Sequence, residues 1–156
     1  KAVEAVNKAQ KLSLVEKCIK RFGADLSGKT FAVWGLSFKP ETDDMREASS
    51  ITLITELVKM GAKIKAYDPK ATAEAKHYLR DILDSVLFVE SKYEALKNAD
   101  AMFLVTEWKE FRSPDFDEVA NLLQNKIIFD GRNQYNGEKL KELWFEYSQI
   151  GVAFEL

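Results

Sequence analysis

The sequence predicts an α/β fold in which a doubly wound, mainly parallel sheet carries helices on both faces and is preceded by the end of a long helix. Strand-like and helix-like segments alternate from residue 30 to residue 150. Such alternation is typical of βαβ units, whose right-handed crossovers make the strands parallel. The chain has 156 residues, of which 46% are hydrophobic, and this suits a single domain with a core that needs no disulfide.

The first element is a helix, because apolar residues recur at helical spacing from Val3 to Phe22 before Gly23 ends the pattern. A compact β-prone run at 30–34 is the first strand. A strongly helical segment at 49–60, closed by Gly61, leads into a second strand at 63–67. The alternation continues with helices at 71–79, 93–97, 116–123 and 137–143 and with strands at 86–89, 101–105, 126–130 and 145–150. The boundary between the leading helix and the α/β body falls after Gly23, which gives segments 1–23 and 24–156.

Composition argues against several classes of function. Lys and Arg total 23 against 25 Asp and Glu, a net charge of -2, which argues against a nucleic-acid partner. No apolar run approaches the ~18 residues of a membrane span, so no membrane partner is expected. Cys18 is the single cysteine and His77 the single histidine. We therefore expect no internal disulfide, no metal site and a reduced, cytoplasmic setting.

Two standard nucleotide-binding patterns do not fit. Residues 23–30 match the letters of a P-loop, but that loop must leave a strand and open a helix, and here a helix precedes and a strand follows. The first strand is followed by Gly35 alone instead of the three glycines of a dinucleotide fingerprint. The chain also lacks an initiator Met and begins inside a helical pattern, so we expect it to be a piece of a longer protein.

The loop at 35–46 carries the residues best suited to a nucleotide. Ligands of parallel sheets bind beyond the carboxyl ends of the strands, and this loop follows the first strand with Phe38, Lys39 and Arg46. An aromatic face can stack on a base, and a cation can pair with a phosphate. The two cations can equally be paired with nearby acids such as Asp44, and both interpretations stay open.

The loops after the other strands add further candidates. Asp68, at the end of the second strand, is either an acceptor for a ribose hydroxyl or a turn residue. Arg132 follows Gly131 after the fifth strand and is either a fork for phosphate or carboxylate or a partner in a surface salt bridge. Cys18 lies at helical spacing among apolar residues, which indicates a buried thiol rather than a nucleophile.

Several motifs resemble one known family in the same order along the chain. The stretch at 35–48 resembles the signature that opens the C-terminal domain of UDP-glucose 6-dehydrogenases, members of the UDP-glucose/GDP-mannose dehydrogenase family. Tyr67-Asp68-Pro69, Thr106-Glu107-Trp108 and the segments at 129–133 and 147–151 match the same family. The stretch at 6–11 is similar to the end of the long central helix that joins the two halves of these enzymes. The resemblance thus covers essentially the whole chain.

The resemblance implies an enzyme that oxidises the C6 alcohol of UDP-glucose to a carboxylate in two NAD-dependent hydride transfers, for polysaccharide biosynthesis. In that family NAD lies mainly on an N-terminal Rossmann domain, and the catalytic thiol belongs to a Gly-Ser-Cys-Phe-Pro-Lys segment. This chain has neither, so no catalytic residue is assigned in it. It corresponds to the Rossmann-like, UDP-binding C-terminal domain at 24–156, with 1–23 as the end of the linking helix, and alone it should be inactive.

Transferred position by position, the resemblance assigns Phe38, Lys39 and Arg132 to the UDP-sugar. It assigns Arg46 to NAD across the cleft between the two halves. The implied ligand is UDP-glucose or UDP, and the implied partner is the N-terminal NAD-binding domain of the same protein.

Two alternatives and one interface prediction complete the sequence-based expectations. Within the family, the substrate of the whole protein can be another UDP sugar of the N-acetylhexosamine type. Outside it, the chain can be a non-catalytic α/β interaction module that keeps the fold without binding a nucleotide. The apolar stripe of the leading helix at Val3, Val6 and Leu14 predicts a homodimer.

Overall fold

The computed structural model describes the backbone of residues 2–150 and the side chains of residues 11–150. Its helices and strands, in chain order, are α1 (Ala2–Phe22), β1 (Thr30–Trp34), α2 (Ser49–Lys59), β2 (Lys63–Tyr67), α3 (Thr72–Tyr78), β3 (Val86–Phe88), α4 (Lys92–Leu96), β4 (Ala101–Leu104), α5 (Phe116–Leu122), β5 (Ile127–Asp130), α6 (Gly137–Glu142) and β6 (Glu146–Gln149). Two 3-10 segments, Arg80–Ser85 and Lys109–Phe111, were not predicted. The first is interrupted by the non-helical backbone of Ile82 (φ -130°, ψ 23°), and the second has only three residues. No helix within the described residues is long and apolar enough to cross a membrane.

The six strands form one parallel sheet in the order β3-β2-β1-β4-β5-β6. β1 is central, and its Trp34 pairs in register with Tyr67 of β2 on one side and Leu104 of β4 on the other. The chain steps outward from β1 in both directions, so the loops that follow β1 and β4 diverge and leave a crevice. We call this end of the sheet the carboxyl edge. The arrangement confirms the predicted doubly wound parallel sheet.

Helices cover both faces of the sheet because successive side chains of a strand point to opposite sides. In β1, Phe31 and Val33 belong to a core cluster with residues of α1, α2 and α3. Ala32 and Trp34 belong to a second cluster with residues of α4, α5 and α6. The short buried run of β1 therefore contributes to both cores, as expected for a central strand of a parallel sheet.

The helix α1 packs onto the sheet domain. Leu14 and Cys18 are 7% and 0% exposed, which confirms the predicted core thiol, and burial raises the pKa of Cys18 to about 12. The prediction that Leu14 belongs to an exposed stripe is wrong, because Leu14 packs against Gly131. A Cβ atom added to Gly131 would lie 2.9 Å from Cδ1 of Leu14. The side chains of Val3 and Val6, the other predicted members of the stripe, lie outside the described residues.

Candidate functional site

Asp68 ties together three loops at the carboxyl edge. It follows β2 directly and is 4% exposed. Its Oδ2 accepts hydrogen bonds from the backbone N–H groups of Leu36 (2.7 Å) and Ser37 (3.1 Å) and from the indole N–H of Trp108 (3.2 Å). Its Oδ1 accepts two more, at 2.8 Å, from backbone N–H groups of its own loop. Of the two roles left open for Asp68, the structure therefore shows the turn-forming one.

The loop after β1 does not fit the pyrophosphate of a dinucleotide such as NAD. In a dinucleotide site the backbone N–H groups of this loop and of the following helix start face the phosphates, and glycines allow close approach. Here the N–H groups of Leu36 and Ser37 donate to the internal carboxylate of Asp68. A Cβ atom on Gly35, whose φ is +94°, would lie 2.5 Å from the backbone nitrogen of Thr106. The backbone N–H groups that would bind a pyrophosphate are thus already paired within the protein.

Side-chain hydroxyl groups fix the same loop further. Thr106 Oγ1 donates to the carbonyl oxygen of Ser37 at 2.6 Å, and Ser50 Oγ of α2 donates to that of Leu36 at 2.6 Å. Ser37 Oγ donates to the carbonyl oxygen of Lys39 at 2.8 Å. The carbonyl oxygens of Leu36, Ser37 and Lys39 therefore each accept a hydrogen bond from a hydroxyl group. These hydrogen bonds fix the backbone that carries the side chains of residues 38 and 39.

Asp130, the last residue of β5, binds backbone N–H groups of the following loop, as Asp68 does after β2. It is fully buried, and its carboxylate accepts hydrogen bonds from the backbone N–H groups of Arg132 (2.8 Å), Gln134 (2.7 Å) and Tyr135 (3.0 Å). The hydroxyl of Tyr147 also donates to it, at 2.6 Å. Burial, together with this hydrogen bond to a carboxylate, raises the pKa of Tyr147. The backbone that carries Arg132 is therefore anchored to the end of the sheet.

A cavity of about 650 Å³ opens at the carboxyl edge beside these loops. Three residues assigned by resemblance to the UDP-sugar, namely Phe38, Lys39 and Arg132, line it together. Its other lining residues are Lys11, Glu47, Ser49 and Ile150. Because three cationic side chains and one acidic side chain surround it, the cavity favours an anionic ligand. The phenyl ring of Phe38 stands beside these charges in a residue that is 45% exposed, where a planar ring of a ligand can reach it.

Arg132 bridges two of the loops around this cavity. Its Nη2 donates to the carbonyl oxygen of Phe38 at 3.2 Å. Its Nε lies 2.9 Å from Oε1 of Glu107, an ion-pair distance without the alignment of a hydrogen bond, since this buried Oε1 has no hydrogen-bond partner among the described residues. The salt bridge that the sequence left open for Arg132 is therefore present, and its side chain nevertheless lines the cavity.

Arg46 lies outside this cavity. Its Nε and Nη2 donate to the two carboxylate oxygens of Asp44, at 3.2 and 3.1 Å, and its side chain is 81% exposed. These hydrogen bonds are the main reason why the pKa of Asp44 is lowered and that of Arg46 raised. The pairing with a nearby acid, one of the two interpretations left open, holds for Arg46. Among the described residues, no carboxylate lies within ion-pair distance of Lys39.

Sequence reasoning missed Lys11 as a residue of the cavity. Its Nζ lies 3.5 Å from Oε1 of Glu47, so α1 supplies one wall of the site. Leu14, three residues further along the same helical face, packs against Gly131 beside Arg132. The helical spacing of Lys11 and Leu14 is the signal that could have found it, given the burial of Leu14.

The amino-acid sequence of this chain is similar to that of known proteins. The model of the UDP-glucose/GDP-mannose dehydrogenase family, UDP binding domain, matches residues 32–137. A UDP-glucose 6-dehydrogenase of Pseudomonas aeruginosa is 42% identical over 153 residues, which are 97% of this chain and 34% of that protein. The UDP-glucose 6-dehydrogenase YwqF of Bacillus subtilis is 40% identical over 151 residues, again 97% of this chain and 33% of that protein. The chain therefore spans about a third of the length of these curated relatives.

A solved structure shows the same arrangement of elements. The UDP-glucose dehydrogenase from the hyperthermophilic archaeon Pyrobaculum islandicum superposes with a TM-score of 0.76 at 30% sequence identity. The match covers 97% of this chain and 31% of that one. The Rossmann-like fold class is thus confirmed over nearly the whole length of the chain.

Proposed function

This chain belongs to the UDP-glucose/GDP-mannose dehydrogenase family, as its motifs predicted, and from that premise we propose that it binds UDP-glucose through the UDP moiety in the cavity at the carboxyl edge. The observation that carries the proposal is that Phe38, Lys39 and Arg132 line one cavity of about 650 Å³. These residues come from two loops, at 35–46 and 131–136, that are far apart in sequence.

The side chains around the cavity match the parts of a uridine diphosphate. The exposed ring of Phe38 offers a face on which uracil can stack. Lys39 offers a point charge, and Arg132 offers the planar fork that suits phosphate oxygens. Lys11 adds a third positive charge on the α1 side of the same cavity. We assign the uracil to Phe38 and the diphosphate to the cationic side chains.

We infer that the whole protein is a UDP-glucose 6-dehydrogenase that converts UDP-glucose into UDP-glucuronate. The hydride acceptor for this four-electron oxidation would be NAD+ bound by the rest of the protein, with two NAD+ and one water consumed for each UDP-glucose. This chain contributes substrate binding and not the NAD site or the catalytic thiol, because the N–H groups of its loop after β1 are paired with Asp68 and the thiol of Cys18 is buried and held protonated. The exposed side chain of Arg46 is the one assigned to contact NAD across the cleft between the two halves.

The organisation of the whole protein is part of the same proposal. Residues 1–23 form the end of the helix that links an N-terminal NAD-binding domain to the UDP-binding domain at 24–156. The protein forms a homodimer in which α1 takes part. It acts in the cytoplasm, which the free cysteine Cys18 supports, and it has no nucleic-acid or membrane partner.

Calorimetric titration of this chain with UDP, with NAD as the comparison ligand, tests the proposal. We expect UDP to bind and NAD to show no comparable binding. An isolated chain that binds no UDP at millimolar concentration would contradict the proposal and favour a non-catalytic interaction module. NAD binding as tight as UDP binding would also contradict the proposal, because the cavity would then not select the uridine nucleotide.

Two pairs of variants locate the site. Arg132→Ala removes charge-assisted hydrogen bonds, so the Kd for UDP should rise by about 10- to 100-fold, whereas Arg80→Ala, at an exposed arginine outside the cavity, should leave it unchanged. Lys39→Ala should weaken UDP binding in the same direction, with Lys63→Ala as the matched control. Equal effects of site and control variants would place the ligand elsewhere.

A further inference from the structure

We propose that Glu107 is a positioning residue for the nucleotide site: it holds the guanidinium of Arg132 in place for the ligand without contacting the ligand itself. The inference rests on the proposed function, because it assumes that Arg132 binds the diphosphate. Glu107 belongs to the loop after β4, and it is not among the residues that line the cavity formed by the described part of the chain.

The backbone on both sides of Glu107 is fixed. Thr106, just before it, is fully buried and donates its hydroxyl hydrogen bond to the carbonyl oxygen of Ser37 at 2.6 Å. Trp108, just after it, is 5% exposed and donates its indole N–H to Asp68 at 3.2 Å. Glu107 thus projects from a segment that cannot shift without breaking buried contacts.

The carboxylate of Glu107 is placed in an unusual way. The side chain is 29% exposed, yet its Oε1 is buried and has no hydrogen-bond donor among the described residues. A buried oxygen without a hydrogen bond destabilises a fold unless something offsets the cost. Here the offset is the positive charge of Arg132, whose Nε lies 2.9 Å away.

Arg132 is therefore held at three points. Its backbone N–H donates to Asp130 at 2.8 Å, its Nη2 donates to the carbonyl oxygen of Phe38 at 3.2 Å, and its Nε lies against Glu107. A guanidinium has five N–H groups in a rigid fork, so these contacts leave others for a ligand in the cavity. Because the side chain is already ordered, binding an anion does not have to immobilise it.

A double-mutant cycle separates this role from a general structural one. The Kd for UDP is measured by NMR titration, which remains quantitative at millimolar Kd, for the wild-type chain, Glu107→Ala, Arg132→Ala and the double variant. We expect Glu107→Ala to weaken UDP binding by about three- to tenfold in the wild-type background and by less than about twofold in the Arg132→Ala background. Glu107→Gln keeps the shape of the side chain but removes the negative charge that pairs with Arg132, so it should weaken UDP binding about as much as Glu107→Ala.

Glu118→Ala serves as the matched control, because Glu118 is an exposed acid on α5 outside the cavity and its removal should not change the Kd. Thermal unfolding of each variant checks that the fold is retained. Unchanged or tighter UDP binding by Glu107→Ala, or an equal loss in both backgrounds, would overturn the positioning role while leaving the proposed function intact. A wild-type chain that does not bind UDP would overturn the proposed function itself, and the inference with it.

Discussion

Replacing Asp68 with Asn tests whether one buried carboxylate assembles the binding loops. The side chain keeps its size, but one oxygen becomes an NH2 group, which donates hydrogen bonds instead of accepting them. If the nitrogen takes the position of Oδ1, two backbone N–H groups lose their acceptor. At the position of Oδ2, the backbone N–H groups of Leu36 and Ser37 lose theirs, and the indole of Trp108 keeps only Ser37 Oγ, at 3.3 Å. A charge-assisted hydrogen bond contributes about 1.5–3 kcal/mol. The loss of at least two predicts that the free energy of unfolding falls by about 3–6 kcal/mol.

Thermal unfolding followed by far-UV circular dichroism measures this effect. For a chain of this length, 1 kcal/mol corresponds to a change in Tm of about 2–4 °C, so Asp68→Asn should lower Tm by about 6–24 °C. Asp81→Asn, at an exposed acid of a 3-10 segment, should change the free energy by no more than about 0.5 kcal/mol. A Tm for Asp68→Asn within about 2 °C of wild type would refute the reasoning.

A second readout reports on the loop directly. In Asp68→Asn the NMR resonance of the Trp108 indole N–H should move, because this group donates to the Asp68 carboxylate. The indole of Trp144, which is 83% exposed, should keep its resonance. If neither indole moves, the carboxylate is not what fixes the loop after β4.

Further predictions concern stability and assembly. Burial raises the pKa of Cys18 from 9.0 to about 12, so the stability that the protonated thiol contributes is fully present below pH 9.0. Between pH 9.0 and pH 12 the free energy of unfolding should fall by about 1.4 kcal/mol per pH unit from this group. In urea titrations at a series of pH values, Cys18→Ala should lack this part of the decrease. Gly35→Ala should lower the free energy of unfolding in urea by more than about 3 kcal/mol, because its new Cβ would lie 2.5 Å from the backbone nitrogen of Thr106. Gly28→Ala, at φ +82° with open space around it, should lower the free energy of unfolding by only about 1–2 kcal/mol. Tyr147→Phe loses a 2.6 Å hydrogen bond to a buried carboxylate and should lower the free energy of unfolding by about 1.5–3 kcal/mol, and an unchanged urea midpoint would contradict that role. Sedimentation velocity should show a homodimer, and a monomer at high concentration would contradict the proposed use of α1.

The sheet could be predicted from the sequence because its signals are local. A β-prone run such as 30–34 and the helical period of 49–59 are each decided within a few residues, and right-handed crossovers then make the strands parallel. The burial of Leu14 was not predictable in this way. It depends on contact with Gly131, more than a hundred residues away, and a helical stripe has the same pattern whether it packs on its own domain or on a partner.

The residues of the site could be predicted from the sequence, but most of the hydrogen bonds and ion pairs among them could not. Phe38, Lys39 and Arg132 were singled out by residue type, by position after a strand and by resemblance, and the structure gathers them around one cavity. The hydrogen bonds that Asp68 accepts from the loops after β1 and β4 were not predicted, because these loops meet only after the sheet has formed. Glu107 was named only as part of the motif Thr106-Glu107-Trp108, since nothing local in the sequence shows that its Oε1 is buried against Arg132.

The contact between Leu14 and Gly131 has a mechanical consequence. The absence of a side chain at residue 131 lets α1 come so close that even one added carbon would stand 2.9 Å from Cδ1 of Leu14. A helix at this distance cannot come closer to the loop without pressing on residue 131, the neighbour of Arg132. Because Lys11 of the same helix lines the cavity, the packing of Leu14 on Gly131 sets the distance between the α1 wall of the cavity and Arg132.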